Sequence, residues 1–413
     1  MLRSMADVRP FRALRYRSET DMASAICPPF DVISPDELRD LYARSPLNAV
    51  RIEAADVSLG DRYEQATKTL REWRGDGTLA LDDSESYYVY RQTFEHGGKT
   101  YSRTILFARL RLMPWEAGEV LPHEQTFGGP KEDRLKLLHA IRMNTSPIYL
   151  LYRDAAAGIS GGLREVMAAT PEAVFTSPDG QSHAVWQVED AGAVAELRAA
   201  FAGETLFIAD GHHRYETALG YRDEVKLAAG SWTGEEPENF VMVALTAADD
   251  PGLLVLPIHR VTNVPTPTTD ALHRMDELFE QNREDAAITV VSAEGSVGLA
   301  VKDRAGVDAL LPQDRTAEWR VLDYSIANHV VLQHCLGVSA EKMRDYSVVW
   351  FAEDAEQARA EVRSAKATYA VLMRPVSVER VLELAEAGER MPQKSTFFYP
   401  KVPTGIVFNV LEE

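Results

Sequence analysis

Cysteine is scarce in this chain. Of 413 residues only Cys27 and Cys335 carry a thiol, far apart and with no CxxC spacing. A disulfide-stapled secreted scaffold is thereby excluded, and a reducing cytoplasm is the simplest setting. Cys335 falls in the apolar helical pattern 326–336 and reads as core; Cys27 precedes Pro28 and Pro29, and a catalytic thiol is the minor reading. Long apolar runs are missing too. The most apolar stretch, 253–258, contains Pro257 and stops far short of the roughly 18 residues of a membrane span. The N-terminal segment holds Arg3, Arg9, Arg12, Arg15 and Arg17 but no apolar stretch of about 7–15 residues, so no export signal is expected. Basic tracts are also absent: 44 Lys and Arg stand against 63 Asp and Glu, a net charge of −19 that opposes attraction to nucleic acid. Three nucleotide signatures are missing, namely GxxxxGK[ST], GxGxxG after a strand, and the HRD/DFG pair.

What is present is a chain with 45% hydrophobic and 26% charged residues, long enough for two or three domains. An opening strand is expected at 8–14. Ser34 as N-cap with Pro35 and Glu37 behind it predicts a helix to about Ala43, and Tyr63, Ala66, Leu70 and Trp73 share one face of a second helix over 60–75. The β-rich runs 87–94 and 101–112 flank His96-Gly97-Gly98-Lys99 and predict a hairpin. Strands follow at 147–152, 184–188, 205–209, 240–245 and 253–258, with helices at 135–142, 161–169, 191–201 and 213–224. The stretch 261–269, with Pro265 and Pro267 among threonines, reads as a linker. Beyond it come a helix at 270–281, strands at 288–291 and 298–301, a helix at 323–336, and an alternating tail ending in a strand at 405–410. This mixed order predicts an α+β (mixed α/β) fold and not a regular doubly wound sheet, with an N-terminal domain over 1–262 and an α/β C-terminal domain over 270–413.

The sharpest segment is Leu206-Phe207-Ile208-Ala209-Asp210-Gly211-His212-His213-Arg214-Tyr215-Glu216-Thr217-Ala218-Leu219. Four apolar residues make a buried strand, Asp210 and Gly211 the turn, and Tyr215, Ala218 and Leu219 the apolar face of a helix. Two imidazoles and a guanidinium then occupy the first helical turn, with Asp210 as the expected cap. Cations there cost stability unless an anion is held, and the helix N-terminus already favours one. Phosphate binding by Asp210, Gly211, His212, His213 and Arg214 is the leading reading. Two others stay open: Arg214 paired with Glu216 or a distant carboxylate, and a metal held by His212, His213, His123 and Glu124.

Four blocks carry a family resemblance: Pro28-Pro29-Phe30-Asp31-Val32-Ile33-Ser34, His123-Glu124-Gln125-Thr126, residues 209–219, and Met391-Pro392-Gln393-Lys394-Ser395-Thr396-Phe397-Phe398-Tyr399-Pro400-Lys401. Together they resemble the prokaryotic family of domain of unknown function 1015 over nearly the whole chain. Asp210 to Arg214 further resembles the phosphate-binding box shared by ParB partition proteins, sulfiredoxin and the free serine kinase. That resemblance implies a ParB/sulfiredoxin-like N-terminal core and a nucleotide-dependent, serine kinase-like phosphotransferase. It implies ATP or ADP with Mg²⁺, and a small hydroxylated metabolite such as serine as acceptor.

In that scheme Gly211, His212, His213 and Arg214 bind the nucleotide phosphates, Arg214 through its planar fork of donors. Asp31 and Glu124 are the candidates for general base and for holding Mg²⁺, with His123 the alternative base. Lys131 and Arg134 could reach a phosphate or a substrate carboxylate, or form a solvated helix start. Asn144 and Ser146, before the apolar strand at 148–152, could be site residues or a plain turn. Lys394, Ser395 and Thr396 sit in a loop expected to close the site, the alternative being that Phe397, Phe398 and Tyr399 anchor the tail. Two rival functions remain: a non-catalytic nucleotide-binding regulator of ParB type, and a metal-dependent phosphoester hydrolase.

Overall fold

A computed structural model describes residues 6–124 and 129–412, so Gln125 and Thr126 of the second block lie outside the described residues. The chain divides into two compact units, one of Met1–Pro122, Thr126–Leu253 and Pro400–Glu413, the other of His123–Gln125 and Leu254–Tyr399. Both mix helices and sheets, as the irregular order of patterns implies.

The first unit is built on a nine-stranded sheet. Its strands run in the order Val120–Leu121, Leu206–Asp210, Ile148–Tyr152, Phe240–Ala247, Lys99–Arg111, Tyr87–His96, Ser182–Val188, Ala173–Thr176, with Val8–Arg9 also on Lys99–Arg111. The hairpin forms as expected: His96 faces Lys99, and Gly97 and Gly98 both take positive φ, 57° and 73°. Only a two-residue turn of that hand matches the strand twist. Phe240–Ala247 runs parallel to Ile148–Tyr152 and antiparallel to Lys99–Arg111, which makes the sheet mixed. One face buries Tyr87, Val89, Leu106, Ala108, Ile148, Leu150 and Val243 beneath the helices Gly158–Met167 and Ala191–Phe201.

A smaller sheet orders Leu79–Leu81, Ala13–Tyr16, Phe408–Val410 and Met143–Asn144, so the C-terminal strand is an interior member. Beside it pack Pro35–Arg44 and Arg62–Gly75. The first starts at Ser34, whose hydroxyl accepts from the Glu37 N–H at 3.2 Å. The second buries Ala66, Leu70 and Trp73.

In the second unit six strands pair antiparallel in the order Phe279–Gln281, Gly295–Val301, Ile288–Ser292, Tyr369–Met373, His259–Thr262, Val349–Ala352. The stretch expected to be a linker therefore begins as a buried strand. Val261 and Thr262 are fully buried between two neighbours, because β-branched residues fit a covered pleat even when prolines follow. The helix expected over 270–281 stops at Leu278, and Phe279–Gln281 pairs as a strand instead. Asp323–Ile326 continues into a π-helix, Ala327–Cys335, which buries Cys335. Among the described residues no helix is long and apolar enough to cross a membrane.

Candidate functional site

The strand Leu206–Asp210 delivers Asp210 to its edge through a register shift between Ile208 and Asp210 opposite Leu150 and Tyr149. Such a bulge re-aims the side chain that follows it. The helix His212–Ala228 then begins at Gly211, which has φ 92° and no side-chain cap. Asp210 is thus not the cap, contrary to expectation: its carboxylate is taken up by two cations. Arg214 Nη2 donates to Oδ2 at 2.6 Å and Lys401 Nζ to Oδ1 at 2.7 Å. Arg214 Nη1 also donates to the Pro147 carbonyl.

Gly211 is required twice over, by its left-handed φ and by the guanidinium folded against it. A Cβ there would lie 3.1 Å from Cζ and Nε of Arg214. Asp31 stands exposed in the 3-10 turn Phe30–Val32, and its charge reaches Lys401. Burial works against the Lys401 ammonium, but the carboxylates of Asp210 and Asp31 outweigh burial and Arg214, so the amine titrates above the usual lysine range. His212 is buried and His213 half-buried in the same turn.

Arg134 and Lys131 come from the helix Gly129–Ile141. Arg134 is buried, not solvated: it donates to Asp133 Oδ2 at 2.9 and 2.5 Å and to the Glu53 carbonyl at 2.9 Å, with its guanidinium 3.9 Å from the Phe30 ring centroid. Lys131 pairs with Glu216, and the carboxylate of Arg214 is Asp210, neither Glu216 nor a distant group. Asn144 Oδ1 accepts from Met242 N–H and Asn409 Nδ2, so it joins two sheets.

Beside Arg214 lies a cavity of about 50 Å³ whose polar lining includes Glu53, Arg134, Thr145, Ser146 and Thr217. The Thr217 hydroxyl there has no hydrogen-bond partner among the described residues. That is room and polarity for a buried water.

In the second unit His123, Glu124 and the loop before Phe397–Tyr399 form a cluster of their own. His123 Nε2 lies 2.9 Å from Thr396 Oγ1, and its carbonyl accepts from Met391 N–H at 2.7 Å. Glu124 Oε2 accepts from the Ser395 N–H at 3.4 Å. The Lys394 carbonyl accepts from Arg260 Nη1 at 3.0 Å. Arg260 is fully buried, and desolvation lowers its pKa to about 10. Of the sequence-expected residues, Asp31, Lys131, Arg134 and Asp210 to Arg214 lie in the first unit, and His123, Glu124, Lys394 and Thr396 in the second. Among the described residues no three His, Cys, Asp or Glu side chains gather to hold a metal ion.

Residues 8–325 match the family described as "Protein of unknown function (DUF1015)". The chain belongs to that family. The match contains the first three of the quoted blocks and ends before the fourth. No curated protein matches the chain. Several solved structures are remotely similar, three of which follow. A conserved hypothetical protein from Pyrococcus furiosus is 14% identical with a TM-score of 0.36, over 73% of this chain and 94% of that one. Free serine kinase in complex with AMP is 14% identical with a TM-score of 0.36, over 73% and 91%. SbnI with a C-terminal truncation, from Staphylococcus aureus, is 13% identical with a TM-score of 0.34, over 73% and 89%.

Two residues at the site escaped the sequence reading. Lys401 ends the fourth block, yet nothing local distinguishes it from Lys394; only the fold assigns it to Asp210. Glu53, 1% exposed, accepts from Phe30 N–H at 3.2 Å, from Ser146 Oγ at 2.9 Å and from Thr145 Oγ1, and pairs with Arg134. Its one signal was a carboxylate at helical or strand register among the apolar residues Val50, Ile52, Ala54 and Ala55, beside Arg51.

Proposed function

We propose that this chain is a nucleotide-dependent phosphotransferase acting on a small hydroxylated metabolite, serine being the first candidate. We assign a ParB/sulfiredoxin-like core to its N-terminal part. The observation that carries the reading is the convergence on Asp210 of Arg214 and Lys401, one from a helix head and one from the C-terminal segment, with Asp31 beside them. Phosphoryl transfer asks a protein mainly to position phosphate and neutralise its charge. A glycine-entered helix start with an arginine and a lysine held by one carboxylate is suited to both tasks.

Phosphate oxygens bind over Gly211 in this scheme, against the first turn of the helix and the Lys401 ammonium. Asp210 keeps the two cations in place. With Asp210 so occupied, Asp31 is the carboxylate left to take the proton from the acceptor hydroxyl. Mg²⁺ comes with ATP or ADP and is held chiefly by the nucleotide's own phosphate oxygens.

The test is phosphoserine formation, followed by mass spectrometry, from serine, Mg²⁺ and either nucleotide. Thermal shifts with a nucleotide panel are measured alongside, since a ligand that binds the folded state identifies itself by stabilising it. Phosphoserine from the intact protein and none from Asp31→Asn is the expected result. Absence of both product and any nucleotide-induced shift would overturn the proposal.

A further inference from the structure

Arg103 is fully buried in the middle of the nine-stranded sheet, directly opposite Gln92 on the neighbouring strand. Its hydrogen bonds run to neutral acceptors. Nε and Nη2 donate to Gln92 Oε1 at 3.1 and 2.7 Å, and Nη2 donates to the Pro400 carbonyl at 2.5 Å. Nη1 has no hydrogen-bond partner among the described residues, and the guanidinium lies 5.2 Å from the Tyr149 ring centroid. The Asp250 charge reaches Arg103 without a hydrogen bond to it. Burying a guanidinium whose hydrogen bonds all run to neutral acceptors is still costly, and an apolar cross-strand pair would serve the sheet at lower cost. What the pair accomplishes lies at its far end.

Pro400 immediately precedes Lys401. Gln92 Nε2 faces the Lys401 carbonyl at 3.5 Å and donates to Gln181 Oε1 at 2.6 Å, and Gln181 Nε2 donates in turn to Asp179 Oδ2 at 2.7 Å. A polar chain therefore runs from an exposed hairpin turn through the sheet to the backbone that carries Lys401. One residue further, the Lys401 ammonium meets Asp210. A flexible lysine stem delivers its charge to one place only when its own backbone is fixed.

We propose that Arg103 and Gln92 are positioning residues that clamp the Pro400 and Lys401 carbonyls and so keep the Lys401 ammonium on Asp210. The consequence for phosphate rests on the reading of Gly211 to Arg214 as the phosphate site. The clamp itself does not.

The full-length protein and its variants are treated with formaldehyde and a mild hydride reductant, and methylation of each lysine is followed by peptide mass spectrometry. Lys131, also ion-paired in the same unit, is the internal reference. In the parent protein Lys401 reacts slowly. In Gln92→Leu and Arg103→Met its rate rises about tenfold, the effect of losing one hydrogen bond from a charged donor, with Lys131 unchanged. Arg103→Lys, which keeps a donor for Pro400, restores part of the protection. An unchanged Lys401 rate in folded variants, or Lys131 rising in step with it, would overturn the clamp. Should the Arg103 variants fail to fold, Gln181→Ala at the half-buried end of the chain decides: a selective rise at Lys401 supports the clamp and no rise removes it. Thermal shifts with ADP and ATP separate the two readings. Selective exposure of Lys401 in a protein that no nucleotide stabilises sinks the phosphate site and leaves the clamp standing.

Discussion

Asp210 accepts from two cations at once, and each of the three side chains is no more than 20% exposed. Removing the shared carboxylate leaves two like charges facing each other in a poorly solvated place. Asp210→Asn is therefore expected to lower unfolding free energy by roughly 1–3 kcal/mol, measured by denaturant titration. Lys401→Met removes one of the two cations on Asp210, the one proposed to bind phosphate, without stranding a positive charge. It should weaken nucleotide binding by about 10–100-fold in calorimetry while costing less stability than Asp210→Asn.

A second residue-scale prediction concerns acid. Burial lowers the pKa of His183 to about 4, and burial followed by the Arg260 charge lowers that of His259 to about 4. Both imidazoles are held neutral, His183 between Tyr90 and Ser177 and His259 as acceptor for the Met373 N–H. The unfolded chain takes up these protons first. Stability is then complete above about 6.5 and drains as pH falls toward 4, with a ceiling of roughly 3 kcal/mol per histidine. His183→Gln should flatten that slope in pH-dependent denaturant melts, even if it lowers stability at neutral pH.

At the scale of elements, the strand, turn and helix at 206–228 was legible because each part has its own local signal: four apolar residues, a glycine, then an apolar face at helical spacing. The role of Asp210 was not, because a cap and an ion-pair partner are the same residue type at the same place. Gly211→Ala tests the geometry. It forces a left-handed φ on a residue with a Cβ and pushes the Arg214 guanidinium, so a loss of roughly 1–2 kcal/mol with weakened nucleotide binding is expected. Ser34→Ala makes the contrast. Losing that N-cap should cost about 1 kcal/mol in thermal unfolding and leave nucleotide binding untouched.

Across the whole molecule, the last segment decides the first unit. Phe408–Val410 sits inside the small sheet between Ala13–Tyr16 and Met143–Asn144, and Thr404 exchanges two backbone hydrogen bonds with Cys27. A chain ending at Tyr399 loses an interior strand and Lys401 together. Limited proteolysis should show residues before Pro122 cleaved readily in that truncation and protected in the full chain.

Periodicity and turn chemistry are local, and by themselves they determined most of the helices, the Gly97-Gly98 hairpin, the mixed fold class and the strand-to-helix element at Asp210. Pairings between distant segments depend on burial that no window of sequence contains. The tertiary structure alone decided that residues 261–262 form a buried strand and that Arg134 is interior. It also decided that Lys401 meets Asp210 from 191 residues away, with the Arg103 and Gln92 pair beneath it. A charge can be read from its letter, but its partner is set by which backbones the hydrophobic core brings side by side.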